Sequence, residues 1–124
     1  MAPFVDFGAH TRSHPILPND PATDAEREIL GSATDVQRLT GIGARAFAYP
    51  NGDFTSREVD FVRSSGCEAA FTVEAGYVTA RSDPYRLRRI FVDEDAGVTE
   101  LIACASGVYG IAVCLVRRVL GSRL

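Results

Sequence analysis

The sequence predicts an α/β domain built from parallel strands joined by helices. Two strand-like apolar segments, residues 45–49 and 67–73, flank a segment with helical periodicity, which gives a strand–loop–helix–strand order. That order is typical of parallel sheets with right-handed crossovers, in which sites gather at the carboxyl ends of the strands. With 124 residues, 46% of them hydrophobic, the chain is long enough for one domain with a buried core.

The first part of the chain predicts a strand and then a helix. Residues 4–8 alternate in side-chain type, which favours a short strand. A break follows at residues 19–21, which read N-D-P. The sequence T-D-A-E at residues 23–26 matches a capping box, and apolar residues then recur at helical spacing. We therefore expect a helix over residues 24–39 that stops near Gly41.

The middle of the chain repeats this pattern after the strand at residues 45–49. Thr55 and Glu58 form a second capping-box pattern, which opens a helix that ends at Gly66. Three more elements are predicted: a strand at residues 67–73, a loop at 76–83 and a short strand at 87–92.

An uncharged run of sixteen residues, 101–116, lies between Glu100 and the pair Arg117-Arg118. A membrane-spanning helix needs about 17–25 residues, so this run is short for a span. We expect an apolar helix over residues 98–120 that packs against the sheet within the domain, and we do not expect a membrane partner. The alternative, if the first strands of the barrel are missing, is that this helix exposes an adhesive face.

Composition narrows the classes of partner. The net charge is −3, and all 13 basic residues are arginine, spread among 16 acidic ones, so we expect no nucleic-acid partner. Cys67, Cys104 and Cys114 are odd in number and lack Cys-x-x-Cys spacing, which argues against a disulfide framework or a cysteine zinc site. The amino terminus shows no basic, apolar signal peptide. A cytoplasmic location is the expectation.

His10 and His14 are the only histidines of the chain and stand four residues apart after the first predicted strand. Neutral imidazole is the commonest metal ligand among side chains, and two rings on a short loop can converge on one divalent ion at about 2.0–2.1 Å. The pair therefore predicts part of a zinc site. Two unrelated loop histidines exposed to solvent are the alternative.

A second candidate feature is the segment F-A-Y-P-N-G-D at residues 47–53, where an apolar strand ends in a Pro-Asn-Gly turn. Together with G-A-H-T-R-S-H-P at residues 8–15, it resembles the polysaccharide deacetylase family, also called the NodB-homology or carbohydrate esterase family 4 domain. The resemblance extends over residues 3–95, through G-C-E-A-A-F-T at 66–72 and D-P-Y-R-L-R-R-I at 83–90.

The resemblance implies a distorted barrel of parallel strands and surrounding helices. It also implies hydrolysis of the acetamide of N-acetylated polysaccharides such as chitin, peptidoglycan or exopolysaccharide, with a divalent metal, zinc, held by one aspartate and two histidines. The histidines match His10 and His14. Asn51 matches the position whose backbone N–H helps to form the oxyanion hole, and Arg89 is the arginine expected near the site, with a plain surface arginine as the alternative.

The family's ligand and base aspartates come from a Thr-Phe-Asp-Asp-Gly-like strand end upstream of the histidines, whereas this chain reaches His10 within nine residues. We therefore expect residues 1–124 to form an incomplete deacetylase domain, a partial barrel that lacks its first strands, with impaired activity. Asp6 is a substitute carboxylate by proximity; a surface aspartate is the alternative. Ala48 replaces an arginine of many members, and residues 87–90, L-R-R-I, lack the family's late histidine.

Other interpretations stay open at this stage. One is a non-catalytic remnant of the fold that binds a glycan or a protein partner, and another is a truncated product with no function of its own. Cys67 paired with His10 as a nucleophile is conceivable, against a small buried thiol in a strand. An open edge of the sheet also predicts self-association.

Overall fold

The computed structural model describes residues 5–92 and 94–107, and there it confirms the α/β class. Within these ranges three strands form one parallel sheet in the order β1 (Ala46–Ala48), β2 (Ala69–Ala75) and β3 (Leu87–Arg89). Ala46 pairs with Ala69, and Phe71 pairs with Leu87. The all-parallel order is the one predicted from the strand–helix–strand sequence.

The segment before His10 extends this sheet through a single residue. Ala9 forms a parallel bridge with Phe47: the N–H of Ala9 donates to Ala46 O at 2.8 Å, and the N–H of Ala48 donates to Ala9 O at 3.0 Å. Residues 5–8 form no strand, so the strand predicted at 4–8 is wrong for these residues. The alternation was present, but regular strand structure needs a ladder of hydrogen bonds, and here the ladder is limited to Ala9.

Helix α1 (Ala22–Thr40) begins two residues earlier than expected. Pro21 stands at its N-cap, and the carbonyl of Pro21 accepts the N–H groups of Asp24 and Ala25 at 3.0 Å. No side chain caps this end, so the predicted capping box at residues 23–26 does not form. At the other end Gly41 adopts a left-handed φ of 75° and its N–H donates to Gln37 O, as expected of a C-terminal glycine.

Helix α2 (Ser56–Ser64) confirms the second capping box. The hydroxyl of Thr55 accepts the N–H of Arg57, and the carboxylate of Glu58 accepts the N–H of Thr55 at 2.7 Å. Glu58 is fully buried, and its other oxygen accepts the guanidinium of Arg57. The same guanidinium donates to the carbonyls of Leu17 and Asp20, which attaches α2 to the 3-10 turn Leu17–Asn19.

The core lies between the sheet and helices α1 and α2. Tyr49 is its largest buried side chain; it stacks on Phe54 with ring centroids 4.5 Å apart and donates to the carbonyl of Tyr85 at 3.1 Å. Burial raises the pKa of the Tyr49 hydroxyl well above its ordinary value, so this group stays neutral. Other buried residues of the same cluster are Leu17, Ile29, Phe47, Val59, Val62 and Ala70.

The carboxyl-terminal part begins as predicted and then differs. Helix α3 (Val98–Ala105) starts at the predicted residue but ends at Ala105, and Gly107 has a φ of 80°; residues 108–120 of the predicted helix lie outside the described ranges. Strand β3 ends at Arg89 and not at residue 92. No helix in the described ranges is both long enough and apolar enough to cross a lipid bilayer.

Candidate functional site

Two loops meet at the carboxyl edge of the parallel sheet. The first begins at His10, directly after the bridged residue Ala9, and the second is the 3-10 turn Pro50–Gly52, which follows β1. Because Ala9 and β1 run side by side in parallel, the two loops emerge at the same end. This is the end of a parallel sheet at which binding sites form.

The imidazole of His10 is held by β1. Its Nδ1 lies 2.7 Å from the carbonyl oxygen of Ala48. A carbonyl oxygen only accepts hydrogen bonds, so Nδ1 carries the proton and the lone pair of the neutral ring is at Nε2. Metal-binding histidines have this arrangement, in which one ring nitrogen donates to a backbone carbonyl and the other faces the ion.

His14 brings a second ring to the same place. The ring centroids of His10 and His14 are 4.9 Å apart, with the planes at 73° to each other. The hydroxyl of Thr11 shapes the turn between them, since it donates to the carbonyl of His10 at 2.6 Å and accepts the N–H of His14 at 3.1 Å. Rings at this separation are close enough for one nitrogen of each to bind a common ion at about 2.0–2.1 Å.

Helix α1 holds the histidine loop from one side through Glu28. One carboxylate oxygen of Glu28 accepts the N–H groups of Arg12 and Ser13, both at 2.8 Å, and the other accepts the hydroxyl of Ser13 at 2.9 Å. Burial raises the pKa of Glu28, but the bonds from Ser13 and Arg12 together outweigh it, and the pKa is lowered. The loop is therefore tied to α1 by a charged acceptor.

A second contact on α1 involves Arg12 and Asp35. The guanidinium of Arg12 donates to Asp35 at 2.7 Å, and this hydrogen bond holds the pKa of the Asp35 carboxyl below its ordinary value. The side chain of Arg12 crosses α1 at Gly31, where a Cβ atom would lie 2.6 Å from the guanidinium carbon. A glycine in the middle of α1 thus leaves room for this arginine.

The Pro-Asn-Gly turn presents a backbone donor. Asn51 has φ 54° and ψ 0°, and no acceptor among the described residues takes its N–H. Gly52 has φ 78°, and a Cβ atom there would lie 2.2 Å from a methyl carbon of Val73 on β2. Glycine at position 52 therefore lets the turn lie against the neighbouring strand.

Left-handed backbone is concentrated in these two loops. Among the described non-glycine residues, positive φ angles occur at Thr11 (60°), His14 (57°) and Asn51 (54°). For a β-branched residue such as threonine this conformation is a true outlier, and it costs about 1–2 kcal/mol. Strain of this kind collects at functional sites. The strained residues therefore lie at the carboxyl edge of the sheet, in the two predicted loops.

The other residues singled out from the sequence lie elsewhere. Arg89 donates to the carbonyl of Thr72 at 2.7 Å and is separated from Ala9 by β1 and β2, about 14 Å across the sheet. Asp6 lies at the amino end of the sheet, in a groove of roughly 280 Å³ that Arg45 also lines. Neither residue has a described contact with His10 or His14.

Cys67 is buried, and its thiol donates to the carbonyl of Ala44 at 3.4 Å. Burial raises its pKa. The protonated thiol fits the structural interpretation of this residue and contradicts the pairing with His10 as a nucleophile.

The donor set fits two positions of a metal site. His10 and His14 supply two nitrogens on one loop. Within residues 5–92 and 94–107 no group of three or more histidine, cysteine, aspartate or glutamate side chains is close enough to hold an ion. Two imidazoles alone leave a zinc site short of ligands.

A family profile described as polysaccharide deacetylase matches residues 2–70, which is more than half of the chain. The chain belongs to the polysaccharide deacetylase family. The match includes both loops of the candidate site, so the resemblance predicted from the two histidines and the Pro-Asn-Gly turn is confirmed. A comparison with curated proteins gives no significant match.

Solved structures support the same fold. The deacetylase PplD of Streptococcus pyogenes, solved in complex with acetate, is similar over 79% of this chain and 43% of its own length, with a TM-score of 0.74 at 20% identity. A polysaccharide deacetylase from Bacillus cereus is similar over 78% of this chain and 31% of its own, with a TM-score of 0.69 at 22% identity. The chain therefore spans less than half the length of either of these structures.

The sequence did not reveal how the histidine loop of this chain is held. Glu28 and Asp35 lie in a helix whose charges predict only a solvated face, and their role depends on contacts with Arg12 and Ser13, at least fifteen residues away. One signal was present: Gly31 interrupts a helical pattern, and a glycine in that setting often marks a close approach.

Proposed function

We propose that this chain supplies the two-histidine part of a divalent-metal site and one oxyanion donor for hydrolytic N-deacetylation of an N-acetylated polysaccharide. The observation that carries the proposal is the hydrogen bond of His10 Nδ1 to Ala48 O, which directs the Nε2 lone pair away from the sheet. The position of His14, 4.9 Å away between ring centroids, adds the second ligand. Membership of the deacetylase family supplies the reaction class.

In this reaction water adds to the acetamide carbonyl carbon, the C–N bond breaks, the amine leaves with a proton, and acetate is released. When bound, the metal supplies acidification of the attacking water. His10 and His14 would hold the metal, and the remaining ligands and a general base would come from outside the described residues. The N–H of Asn51 donates to the carbonyl oxygen as negative charge develops there, and a donor in this role typically contributes about 10²–10³-fold to the rate.

Zinc titration of the whole 124-residue chain tests the ligand assignment. We expect weak binding, because two neutral imidazoles without a carboxylate give an incomplete site. In heteronuclear NMR spectra, zinc should shift the Nε2 resonance of His10 while Nδ1 stays protonated. His10→Ala and His14→Ala should each abolish the binding, whereas Arg27→Ala, at an exposed position of α1 that pairs only with Asp24, should leave it unchanged. Tight binding that survives both histidine changes would overturn the assignment.

Acetate release from N-acetylglucosamine oligomers tests the reaction. We expect no measurable release by this chain alone with zinc or cobalt, and release after addition of a separately produced polypeptide that carries the family's aspartate pair. The restored activity should disappear in His10→Ala. Metal-dependent release by the unaided chain would refute the two-part assignment. If zinc binding depends on the histidines but no addition restores turnover, the non-catalytic binding interpretation is favoured.

A further inference from the structure

Two chain segments leave the candidate site, one from each loop. After His14 the chain enters the 3-10 turn Leu17–Asn19. After Asn51 it reaches Thr55, the N-cap of α2. The two loops are fixed to each other where they begin, by the bridge between Ala9 and β1. Their relative position therefore also depends on what joins the two segments where the loops end.

Arg57, in the first turn of α2, joins these two segments. Its Nη2 donates to the carbonyl oxygen of Leu17 at 2.9 Å and to that of Asp20 at 3.1 Å. Among the described residues, no other side chain forms a hydrogen bond between the segment after His14 and the segment after Asn51. The end of the histidine loop is therefore attached to the start of α2 through this guanidinium.

Glu58 fixes the direction of the Arg57 guanidinium. The side chain of Glu58 is fully buried, and that of Arg57 is 33% exposed. One carboxylate oxygen accepts Nε of Arg57 at 2.6 Å, and the other accepts the N–H and the hydroxyl of Thr55 at 2.7 and 2.6 Å. A guanidinium carries its donors in one rigid plane, so the bond at Nε determines where Nη2 points. The carbonyls of the other segment are thus bound in a defined direction.

The separation of the two loops matters for the reaction proposed above. The acetamide must present its carbonyl carbon to the attacking water beside His10 and His14, and its carbonyl oxygen to the N–H of Asn51. An oxyanion donor acts at about 2.7–3.1 Å from the developing charge. A displacement of about 1 Å can lower the rate by about 10²-fold, even when its origin is remote from the reacting atoms. A residue that fixes this separation controls turnover without contacting the substrate.

We infer that Arg57 is a positioning residue of this site: by holding the segment after His14 against the start of α2, it sets the distance between His14 and Asn51. The catalytic consequence rests on the proposed function, whereas the geometry rests on the contacts alone. The hydrogen bonds of Thr11 and Glu28 keep the histidine loop closed when the link is lost. Loss of the link should therefore lower turnover more than zinc affinity.

Residual dipolar couplings of the metal-free chain test the geometry. Arg57→Lys keeps a positive charge beside Glu58, but an ammonium group lacks the planar set of donors that binds the carboxylate and two carbonyls together. One alignment frame, determined from the sheet and α2, should fit the N–H couplings of residues 14–20 in the native chain and fail for them in Arg57→Lys. The control is Arg45→Lys, which changes an arginine that binds both carboxylate oxygens of Glu68, and it should behave as the native chain does. Unchanged couplings in Arg57→Lys would overturn the inference.

Kinetics test the catalytic consequence in the mixture with the polypeptide that carries the aspartate pair. Arg57→Lys should lower kcat about tenfold or more, while the zinc affinity of the 124-residue chain stays the same. A parallel loss of zinc affinity and kcat would assign Arg57 a purely structural role and overturn the inference. If no mixture releases acetate, the proposed function fails and the catalytic role of Arg57 with it, whereas the couplings still decide whether Arg57 positions the loops. Should Arg57→Lys not fold, Arg57→Gln with Glu58→Gln replaces the charged pair by two amides and takes its place in both measurements.

Discussion

The Nδ1 of His10 and the carbonyl oxygen of Ala48 are 2.7 Å apart, so the ring of the histidine loop is oriented by the strand that leads into the Pro-Asn-Gly turn. The same strand therefore positions the proposed metal ligand and, three residues later, the backbone donor Asn51. Displacement of the histidine loop breaks this bond, and the lone pair at Nε2 is then no longer fixed. The residues that hold the loop on α1 should thus control metal binding without touching the ion.

Glu28 is the first test of this control. Glu28→Ala removes the acceptor of three hydrogen bonds from Arg12 and Ser13, and we expect the free energy of unfolding to fall by about 1–2 kcal/mol. Zinc affinity should fall as well, because the His10 and His14 rings lose their common support. Urea denaturation and zinc titration measure the two effects. Glu26→Ala, at an exposed position on the same helix, is the control, and unchanged zinc affinity in folded Glu28→Ala would contradict a positioning role.

The crossing of Arg12 over Gly31 gives a second prediction. Alanine in place of a mid-helix glycine normally stabilises by about 0.5–1 kcal/mol. Here the new Cβ would lie within 2.8 Å of three guanidinium atoms, so we expect Gly31→Ala to gain less than that in the native chain. In an Arg12→Ala background the full gain should appear. Equal gains in both backgrounds, measured by urea denaturation, would show that Arg12 does not lie over Gly31 in solution.

Elements with local determinants could be predicted from the sequence, and contacts between distant segments could not. The capping box of Thr55 and Glu58 depends on residues three apart, and it formed as predicted. Helix α1 begins directly after Pro21, whose carbonyl accepts the N–H groups of Asp24 and Ala25, and the pattern at residues 23–26 does not cap the helix. The hydrogen bonds from Arg12 and Ser13 to Glu28 join residues at least fifteen apart, so no local sequence pattern predicts them.

Gly52 supports a prediction about the Pro-Asn-Gly turn. Gly52→Ala places a Cβ 2.2 Å from Val73 at a φ of 78°, so we expect a loss of stability above about 2 kcal/mol. Val73→Ala should relieve the steric part, while the cost of the left-handed backbone, about 1–2 kcal/mol, remains in the double variant. Thermal denaturation of the native chain, the two single variants and the double variant gives the coupling free energy between positions 52 and 73. Simple additivity of the two changes would contradict the close approach of the turn to β2.

Glu58 determines the last prediction, which concerns acid stability. Burial raises the pKa of this carboxyl, but the hydrogen bonds from Thr55 and Arg57 together outweigh burial, so the pKa in the folded chain is below the ordinary 4.5. A lowered pKa means that the unfolded chain binds the proton more readily than the folded one. The stabilisation is then fully present above about pH 4.5 and is lost as the pH falls through the lower, folded value.

Glu58→Gln should therefore lower the free energy of unfolding by about 1–3 kcal/mol at neutral pH, and the difference from the native chain should shrink as the pH falls below about 4.5. Urea denaturation over a pH series measures this. Asp60→Asn, at an exposed position of α2 whose carboxylate pairs with Arg63, is the control and should change stability by less than about 1 kcal/mol. If the difference for Glu58→Gln grows on acidification, the pKa of Glu58 is raised in the folded chain, and the charged carboxylate destabilises the fold.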